Sequence, residues 1–409
     1  MVIVGAGMRG TTYATCAVNA GARVVAVAEP RPHAQKALAA KHDVPPDAVF
    51  DDWRDLLDRP RIADIAVVAT QDRSHVEPAV ELARRGYHLL LEKPMATSEA
   101  NCELIVRAAE DAGVMLAVCH VMRYTRYSRA LKQIVESGRI GDVVSVEHLE
   151  PVGWWHQAHS YVRGNWRRED EATFMLMAKS CHDLDWLAYI IGRPAERVSS
   201  FGSLYEFRPE RKPQGAADRC LDCSVEPTCP YSAPRIYLPF LAKPEKNWPL
   251  SVLTTDRTTE GVMEALRDGP YGRCVYSCDN DVVDHQVVNI EYTEGVTASF
   301  TMTAFAPGGH RKTRIFGTRG SIEGDGDTIA IHDFLTGLET IRPVQATGAS
   351  AADGHGGGDQ ALVDAFVAAV GTGDPALILT NGRDSLESHR LVWAAERARR
   401  TGTVVTLAT

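Results

Sequence analysis

Val2-Ile3-Val4-Gly5-Ala6-Gly7-Met8-Arg9-Gly10 is an apolar strand running into a GxGxxG turn. A helix-length segment, Thr11 to Ala20, follows and stops at Gly21. A second apolar strand, Arg23 to Ala28, ends on Glu29, 19 positions after Gly10. Gly5 allows the tight turn, Gly7 lets backbone approach a pyrophosphate, and Gly10 lets the helix pack against the strand. The helix N-terminus, reached through Met8 and Arg9, offers free N–H groups and a positive dipole end to phosphates. Glu29 sits where a carboxylate accepts hydrogen bonds from the adenosine ribose hydroxyls. The pattern predicts dinucleotide binding. A carboxylate here repels the extra phosphate of NADP, so NAD is expected; Arg31 could instead grip that phosphate, which keeps NADP as the alternative.

A chain of 409 residues is too long for one core and predicts two domains. Its hydrophobic fraction, 44%, is that of an ordinary globular protein. No apolar run approaches the ~18 residues needed to span a bilayer, and no signal pattern opens the chain, so no membrane partner is expected. A formal net charge of -9 argues against nucleic acid. Nine cysteines, mostly single and in apolar segments, fit a cytoplasmic protein; Cys16, Cys102, Cys119 and Cys181 read as small buried hydrophobes. The first strand starts at Met1 and falls short of the usual length of about five to six residues, which predicts a few further residues upstream.

Strand–helix alternation continues to about residue 121. Pro32 to Lys41 reads as helix, Asp64 to Ala69 as buried strand, Val76 to Arg85 as helix and His88 to Leu91 as strand. Ser98 caps a helix ending before Gly113, and Val114 to Val118 is a further strand. Beyond Arg123 the pattern changes. Val143–Leu149, Val198–Phe207, Val287–Tyr292, Thr297–Thr303 and Arg314–Phe316 read as one mostly antiparallel sheet, and helices over 360–370 and 382–399 close the chain. The expected fold is thus α/β: a doubly wound Rossmann sheet over 1–121, then an α+β domain over 122–409 with an open, mostly antiparallel sheet. Gly354 to Gly358 and the Pro-rich stretch Phe207 to Pro249 read as loops, the second long enough to need a staple.

Two segments follow strand ends, where ligands of such sheets bind: Thr70-Gln71-Asp72-Arg73-Ser74-His75 and Glu92-Lys93-Pro94-Met95-Ala96. A lysine beside the nicotinamide suits hydride transfer, because it can exchange a proton with the substrate hydroxyl. GAGMRG, ATQDRSH and EKPMA together closely resemble the glucose-fructose oxidoreductase/inositol dehydrogenase/rhizopine-catabolism (Gfo/Idh/MocA) family, and the resemblance extends through Gly138-Arg139-Ile140-Gly141 into the sheet domain. The family's usual Thr-Pro-Asp reads Thr70-Gln71-Asp72. The resemblance implies an NAD(P)-dependent homo-oligomer, dimer or tetramer, acting on sugars or cyclitols. It makes Lys93 the proton-handling residue and places Thr70, Gln71, His75 and Glu92 at the cofactor.

The family's second catalytic element, Asp-x-x-x-His, departs here: His182 matches the histidine, but Ala178 occupies the Asp position. Lys179 and His182, three apart, project from one helical face. A cation for a carboxylate suggests a negatively charged substrate. Glu150 to Asp170 is a second informative loop, with three of the seven tryptophans, His156, His159, Tyr161, Arg163, Arg167 and Arg168. Aromatic faces of Trp155 and Trp166 suit a pyranose, Arg163 and, outside this loop, Arg123 suit a carboxylate or sulfonate, and His156, His159 and Tyr161 can transfer protons. The bland alternative is an aromatic cluster under a loop. His-Ser-Tyr-x-Arg-Gly-Asn-Trp beside Lys-Ser-Cys-His-Asp resembles a subgroup of oxidoreductive glycosidases, such as NAD-dependent sulfoquinovosidases.

Cys220-x2-Cys223-x5-Cys229, with Cys274 or Cys278 further on, reads as a thiolate site for structural zinc in a Cys-rich insertion over about 208–280. Reduced or redox-paired cysteines are the alternative, and an iron–sulfur cluster is less favoured. The acids at 279, 281 and 284 and the stretch His355 to Asp359 either face the site or shape turns. The expected enzyme removes hydride from a carbohydrate ring carbon with Lys93, Lys179, His182, His159 and Tyr161 in proton-handling roles. It works as a redox-neutral hydrolase of an anionic glycoside (a sulfoquinovoside or uronide) or as a plain sugar or cyclitol dehydrogenase. A dinucleotide-sensing scaffold is a third, non-enzymatic option.

Overall fold

The short apolar runs of the first 120 residues are strands buried on both faces. In the computed structural model, which describes residues 1–243, 248–344 and 355–407, β1 (Val2–Val4), β2 (Ala26–Ala28), β3 (Val49–Phe50), β4 (Ile65–Val68), β5 (His88–Leu91) and β6 (Leu116–Val118) form a parallel sheet. The strand order is β3-β2-β1-β4-β5-β6. Between them run α1 (Met8–Asn19), α2 (Pro32–Lys41), α3 (Val76–Arg84) and α4 (Glu99–Asp111). Ser98 accepts a hydrogen bond from Asn101 N and so starts α4. Val4 pairs with Ala28 and with Val68, so β1 and β4 end side by side where the order reverses. That is the crevice in which such sheets bind ligands.

After α5 (Arg126–Glu136) the period-2 pattern takes over. The second sheet comprises β7 (Val143–Pro151), β8 (Ala195–Ser203), β9 (His285–Tyr292), β10 (Thr297–Thr303), β11 (Lys312–Gly317), β12 (Gly320–Gly324), β13 (Thr328–Asp333), β14 (Glu339–Pro343) and β15 (Val405–Thr406). Its order is β14-β13-β12-β11-β7-β10-β9-β8-β15, with only β7 and β10 parallel. One face carries the apolar residues of alternating strands: Val288 and Ile290 on β9, Phe300 and Met302 on β10. On β7 that face holds Val146 and then His148 and Glu150, two buried polar residues that mark a site. A short helical turn, α6 (Trp154–His156), leads into a π-helical turn, Gln157–Arg163. Then α7 (Met175–Ile191) lies on the sheet's buried face and ends at Gly192, whose φ of 69° lies in the left-handed region.

The stretch expected to be a bare loop has its own core. Within Phe207 to Pro249 lies the short helix α8 (Ala233–Tyr237), and α9 (Leu250–Leu253) and α10 (Thr259–Asp268) follow it. Phe207, Ile236 and Tyr237 of the stretch bury together with Leu250, Val262 and Leu266 beyond it and with Ala158 and Val162 of the π turn. The need for a staple is therefore smaller than the length of the stretch suggests. Residues 244–247 of that stretch and Gly354 of the Gly-rich one lie outside the described residues.

The last helices, α11 (Gly358–Thr372) and α12 (Gly382–Thr401), return to the first sheet. Leu362, Val363, Phe366, Ala369, Ile378 and Leu386 share its core, and Thr380 O accepts Val118 N at 2.9 Å beside β6. The first sheet is thus completed from both ends of the chain. Among the described residues no helix is long and apolar enough to cross a membrane.

Candidate active site

The glycine turn is shaped by close backbone approach. A Cβ on Gly5, whose φ is +95°, would lie 2.5 Å from Ala69 O, and one on Gly10 would lie 1.9 Å from Gly5 O. A Cβ on Gly7 would meet only Arg31 Nη2, at 3.6 Å. The open side of the turn, with Met8 38% exposed and no side chain capping α1, is where phosphates fit. At the end of β2 the buried Glu29 accepts Ala6 N at 2.7 Å, Arg31 N at 3.0 Å and Arg31 Nε at 2.7 Å. Burial alone would raise its carboxyl, but the Arg31 guanidinium and the two backbone N–H groups hold it below the ordinary range. An ionised acid thus faces the adenosine position, which fits NAD.

Not every residue assigned to the cofactor points at it. The Arg9 side chain lies behind the turn, buried between Glu92 (2.6 Å) and Asp359 (2.6 Å). Glu92, held ionised by Arg9 against burial, also accepts Tyr13 OH. The side chains of both therefore support the turn from behind. His75 is fully buried, with Nδ1 2.8 Å from Pro94 O and Nε2 3.2 Å from Thr70 O, so it ties the two strand-end loops together. Thr70 and Gln71 stay at the crevice, half-buried and exposed.

Lys93 lies where the crevice meets α7, its Nζ donating to Ala178 O at 2.8 Å. The missing family carboxylate is thus replaced, as a partner of this lysine, by a backbone carbonyl of the same turn. His182 is 5% exposed, its Nδ1 has no partner, and burial followed by the charge of Lys93 keeps the ring neutral. Behind it stand His120, with ring centroids 5.6 Å apart, and His355, at 6.0 Å. The carboxylate that does face Lys93 comes from elsewhere. Asp72 is buried after β4 and accepts Trp166 Nε1 at 3.2 Å; burial raises its carboxyl, opposed by His75 and Lys93. In the sequence Asp72 appears only as the last residue of Thr70-Gln71-Asp72, with no role of its own.

Lys179 does not present free charge. Its Nζ meets Glu150 Oε1 at 3.1 Å, Glu150 Oε2 meets Arg311 Nε at 2.7 Å, and Arg311 Nε meets Asp183 Oδ1 at 2.8 Å. His148 Nε2 closes the chain on Asp183 at 3.2 Å. Two cations balance two anions here. Arg123 is likewise spent, bidentate on Asp185 at 2.6 and 2.8 Å, and Arg167 pairs with Asp279 and Arg168 with Asp170. The expectation of cations reserved for an anionic sugar is corrected accordingly.

The loop divides between two faces. Tyr161, buried beside Glu150 and Asp72, belongs to the site, and burial first, then these carboxylates, push its hydroxyl well up. His156 sits near Lys179 and Lys93, and burial, then the charge of Lys179, keep it neutral. Trp155 packs 5.3 Å from Trp248 and 5.2 Å from Phe240, extending an aromatic wall beside it. His159 turns away, stacking on Tyr271 and bonding Tyr237 OH at 2.9 Å, and Arg163 turns with it into the Cys-rich insertion. Neither reaches the crevice, because the π turn aims His159 and Arg163, like Ala158 and Val162, at the core of the insertion. The acids at 279, 281 and 284 serve as turn partners, whereas His355, paired with Asp359, does approach His182.

All nine cysteines are free; among the described residues, no group of three or more His, Cys, Asp or Glu stands at metal-binding spacing. Cys220, Cys223, Cys229 and Cys274 nonetheless line one cavity.

A dinucleotide crevice joined to a sheet-backed pocket, with a lysine at the junction, defines a two-part oxidoreductase. Sequence profiles agree: the oxidoreductase-family NAD-binding Rossmann fold matches residues 1–120 and the family's C-terminal alpha/beta domain matches 132–407. The chain belongs to the Gfo/Idh/MocA oxidoreductase family. It is similar to YteT of Bacillus subtilis (strain 168), named for oxidoreductase activity, at 25% identity over 319 residues, 74% of this chain and 71% of that one. It also resembles the 2,7-anhydro-N-acetylneuraminate hydratase of Escherichia coli (strain K12), 28% identical over 148 residues, though that match spans 36% of this chain and only 39% of the hydratase. Among solved structures, the WlbA dehydrogenase of Bordetella pertussis, in complex with NADH and UDP-GlcNAcA, shares the fold (TM-score 0.69, 20% identity, 100% and 97% of the two chains).

Proposed function

We propose that this chain is an NAD-dependent carbohydrate oxidoreductase that hydrolyses a glycoside without net redox change. One observation carries the reading: around Lys93 the family acid is gone, while Asp72, Tyr161 and His156 bring three further protonatable groups from other elements. A plain dehydrogenase moves one proton per hydride, whereas oxidation, elimination, water addition and reduction move several.

Bound NAD supplies the hydride acceptor and, once reduced, the donor. Lys93 Nζ, acting as the neutral amine, takes the proton of the carbon-3 hydroxyl as that carbon becomes a ketone. The ketone acidifies the hydrogen on carbon 2; its removal to a neutral site base, His156 or His182, expels the anomeric substituent, which takes a proton from Asp72 or Tyr161. Water then adds across carbons 1 and 2: its hydroxyl bonds carbon 1 as its proton reprotonates Asp72 or Tyr161, and the histidine returns its proton to carbon 2. The carbon-3 hydroxyl is restored when hydride and the Lys93 proton return. The sum is glycoside plus water to free sugar plus alcohol. Support also comes from the hydratase relative, whose named reaction adds water to an anhydro sugar. We extend the proposal to a zinc ion in the cysteine-lined cavity.

The test is turnover of neutral and anionic nitrophenyl glycosides, sulfoquinovoside and uronide included, with trace NAD in deuterated water. Aglycone release without NADH build-up, with deuterium at carbon 2, is expected. NADH accumulating in step with sugar, without aglycone release, would make this a plain sugar dehydrogenase.

A further inference from the structure

The last residue of the π turn is Arg163, a cation only 1% exposed. Its Nε donates to Arg273 O and its Nη2 to Tyr231 O, both at 2.8 Å, while Nη2 also lies 3.5 Å from Cys220 Sγ. Nη1 is buried without an acceptor, and among the described residues no carboxylate pairs with this guanidinium. A buried cation is strongly disfavoured unless an anion compensates it. Glu226, the one carboxylate on the cavity wall, is engaged by Ser232 Oγ instead. Cys220 Sγ is the thiol at Arg163 Nη2, and Cys223, Cys229 and Cys274 line the same cavity.

The chain gathers those thiols by simple local means. The 3-10 turns Cys220–Asp222 and Glu226–Thr228 each deliver a cysteine at their end, Cys223 and Cys229. The isolated antiparallel bridge Arg219 to Arg273, with Cys274 N donating to Asp218 O at 2.8 Å, brings Cys274 to the same cavity. Cys278 does not line it; its Sγ faces Cys274 O at 3.3 Å. Ala217 N already points at Cys223 Sγ, at 3.4 Å.

We propose that Cys220, Cys223, Cys229 and Cys274 turn inward on one divalent metal, Zn2+, as a four-thiolate centre compensated by Arg163, and that Arg163 thereby fixes the turn carrying Tyr161 beside Glu150 and Asp72. Binding converts four thiols and Zn2+ to a dianionic centre and four released protons, with no redox change. Arg163 is a positioning residue, and this second clause rests on Tyr161 lying in the substrate pocket.

The experiment takes the full chain, purified reduced and without chelator, and measures its metal content; Co2+ then replaces the native ion. One metal per chain and thiolate-to-cobalt charge-transfer absorption are expected. Cys274→Ser loses that absorption and Cys278→Ser keeps it. Arg163→Lys retains the metal, and Arg163→Met weakens it by about 10- to 100-fold. Metal removal also shifts the near-ultraviolet dichroism of the loop tryptophans. Absence of metal with no Co2+ uptake by the unmodified chain overturns the proposal, as does a disulfide among the four cysteines. Dichroism that ignores metal removal overturns the coupling to the turn. Metal content and the cobalt spectrum are independent of turnover, so a loaded chain without glycosidase activity refutes only the catalytic reading.

Discussion

Lowering the pH from 7 to 5 should strip this protein of much of its stability, and histidines are the cause. Burial holds His120 down to about 4, with Asp185 opposing, and holds His159 and His389 down to about 3. Their surroundings commit them to the neutral ring: His389 Nε2 accepts Met95 N while Nδ1 donates to Ser385 O, and His159 Nδ1 bonds Tyr237 OH. A folded pKa below the unfolded value of 6.5 means that the unfolded chain takes up protons first. Stability is therefore lost as pH falls through about 6.5, and the loss continues until the folded pKa is reached. All three folded values lie below 5, so each histidine costs about 2 kcal/mol between pH 7 and 5, and the three cost about 5 to 6 kcal/mol. That is on the scale of a whole domain's stability. Carboxylates such as Glu92 and Asp185, held below their ordinary range, withdraw stability only at lower pH, and the raised Asp72 acts in the opposite sense. Urea unfolding at pH 7, 6 and 5, with and without His389→Gln, measures the effect. A flat stability over this window, or a slope that His389→Gln leaves unchanged, would refute the argument.

Lys93→Met should lower kcat/KM by about 10²- to 10⁴-fold while calorimetry shows NAD affinity nearly unchanged; near-normal turnover would remove the lysine from the chemistry. Glu29→Ala frees Arg31, so the ratio of NAD to NADP affinity should fall about tenfold, and an unchanged ratio would disprove the role of the acid. Gly10→Ala forces a methyl group to within 1.9 Å of Gly5 O, and thermal unfolding should show a loss of about 1–3 kcal/mol together with weakened NAD binding. A stable variant with normal NAD affinity would mean that α1 can slide away from the turn.

Five strands of the first sheet were readable because they are continuous apolar runs, and His88–Leu91 and Pro32–Lys41 match residue for residue, whereas the two-residue β3, Val49–Phe50, was too short to read. β12 to β14 escaped notice: Gly320–Gly324 and Thr328–Asp333 are short and rich in glycine or polar residues, and Glu339–Pro343 is exposed throughout. At the site, the residue types were legible and their partners were not. Nothing near Arg123 in sequence announces Asp185, 62 positions on, and nothing near Asp72 announces Trp166, 94 positions on. Charges that look available in a sequence are often already paired across the fold, and Lys179 on Glu150 is the case that changed the reading most.

The ion pair between Arg9 and Asp359 joins residues 350 positions apart. During synthesis the six strands can assemble once residue 120 has emerged, yet the arginine under the glycine turn then has Tyr13 OH as an acceptor and Glu92 as its one counter-ion. Its second counter-ion, and the helix that roofs α1, arrive after most of the chain has been made. The nucleotide site, although its glycine turn lies at residues 5–10, is therefore among the last parts to mature, and removing the segment from Gly358 onward would cripple a cradle built from residues 2–10.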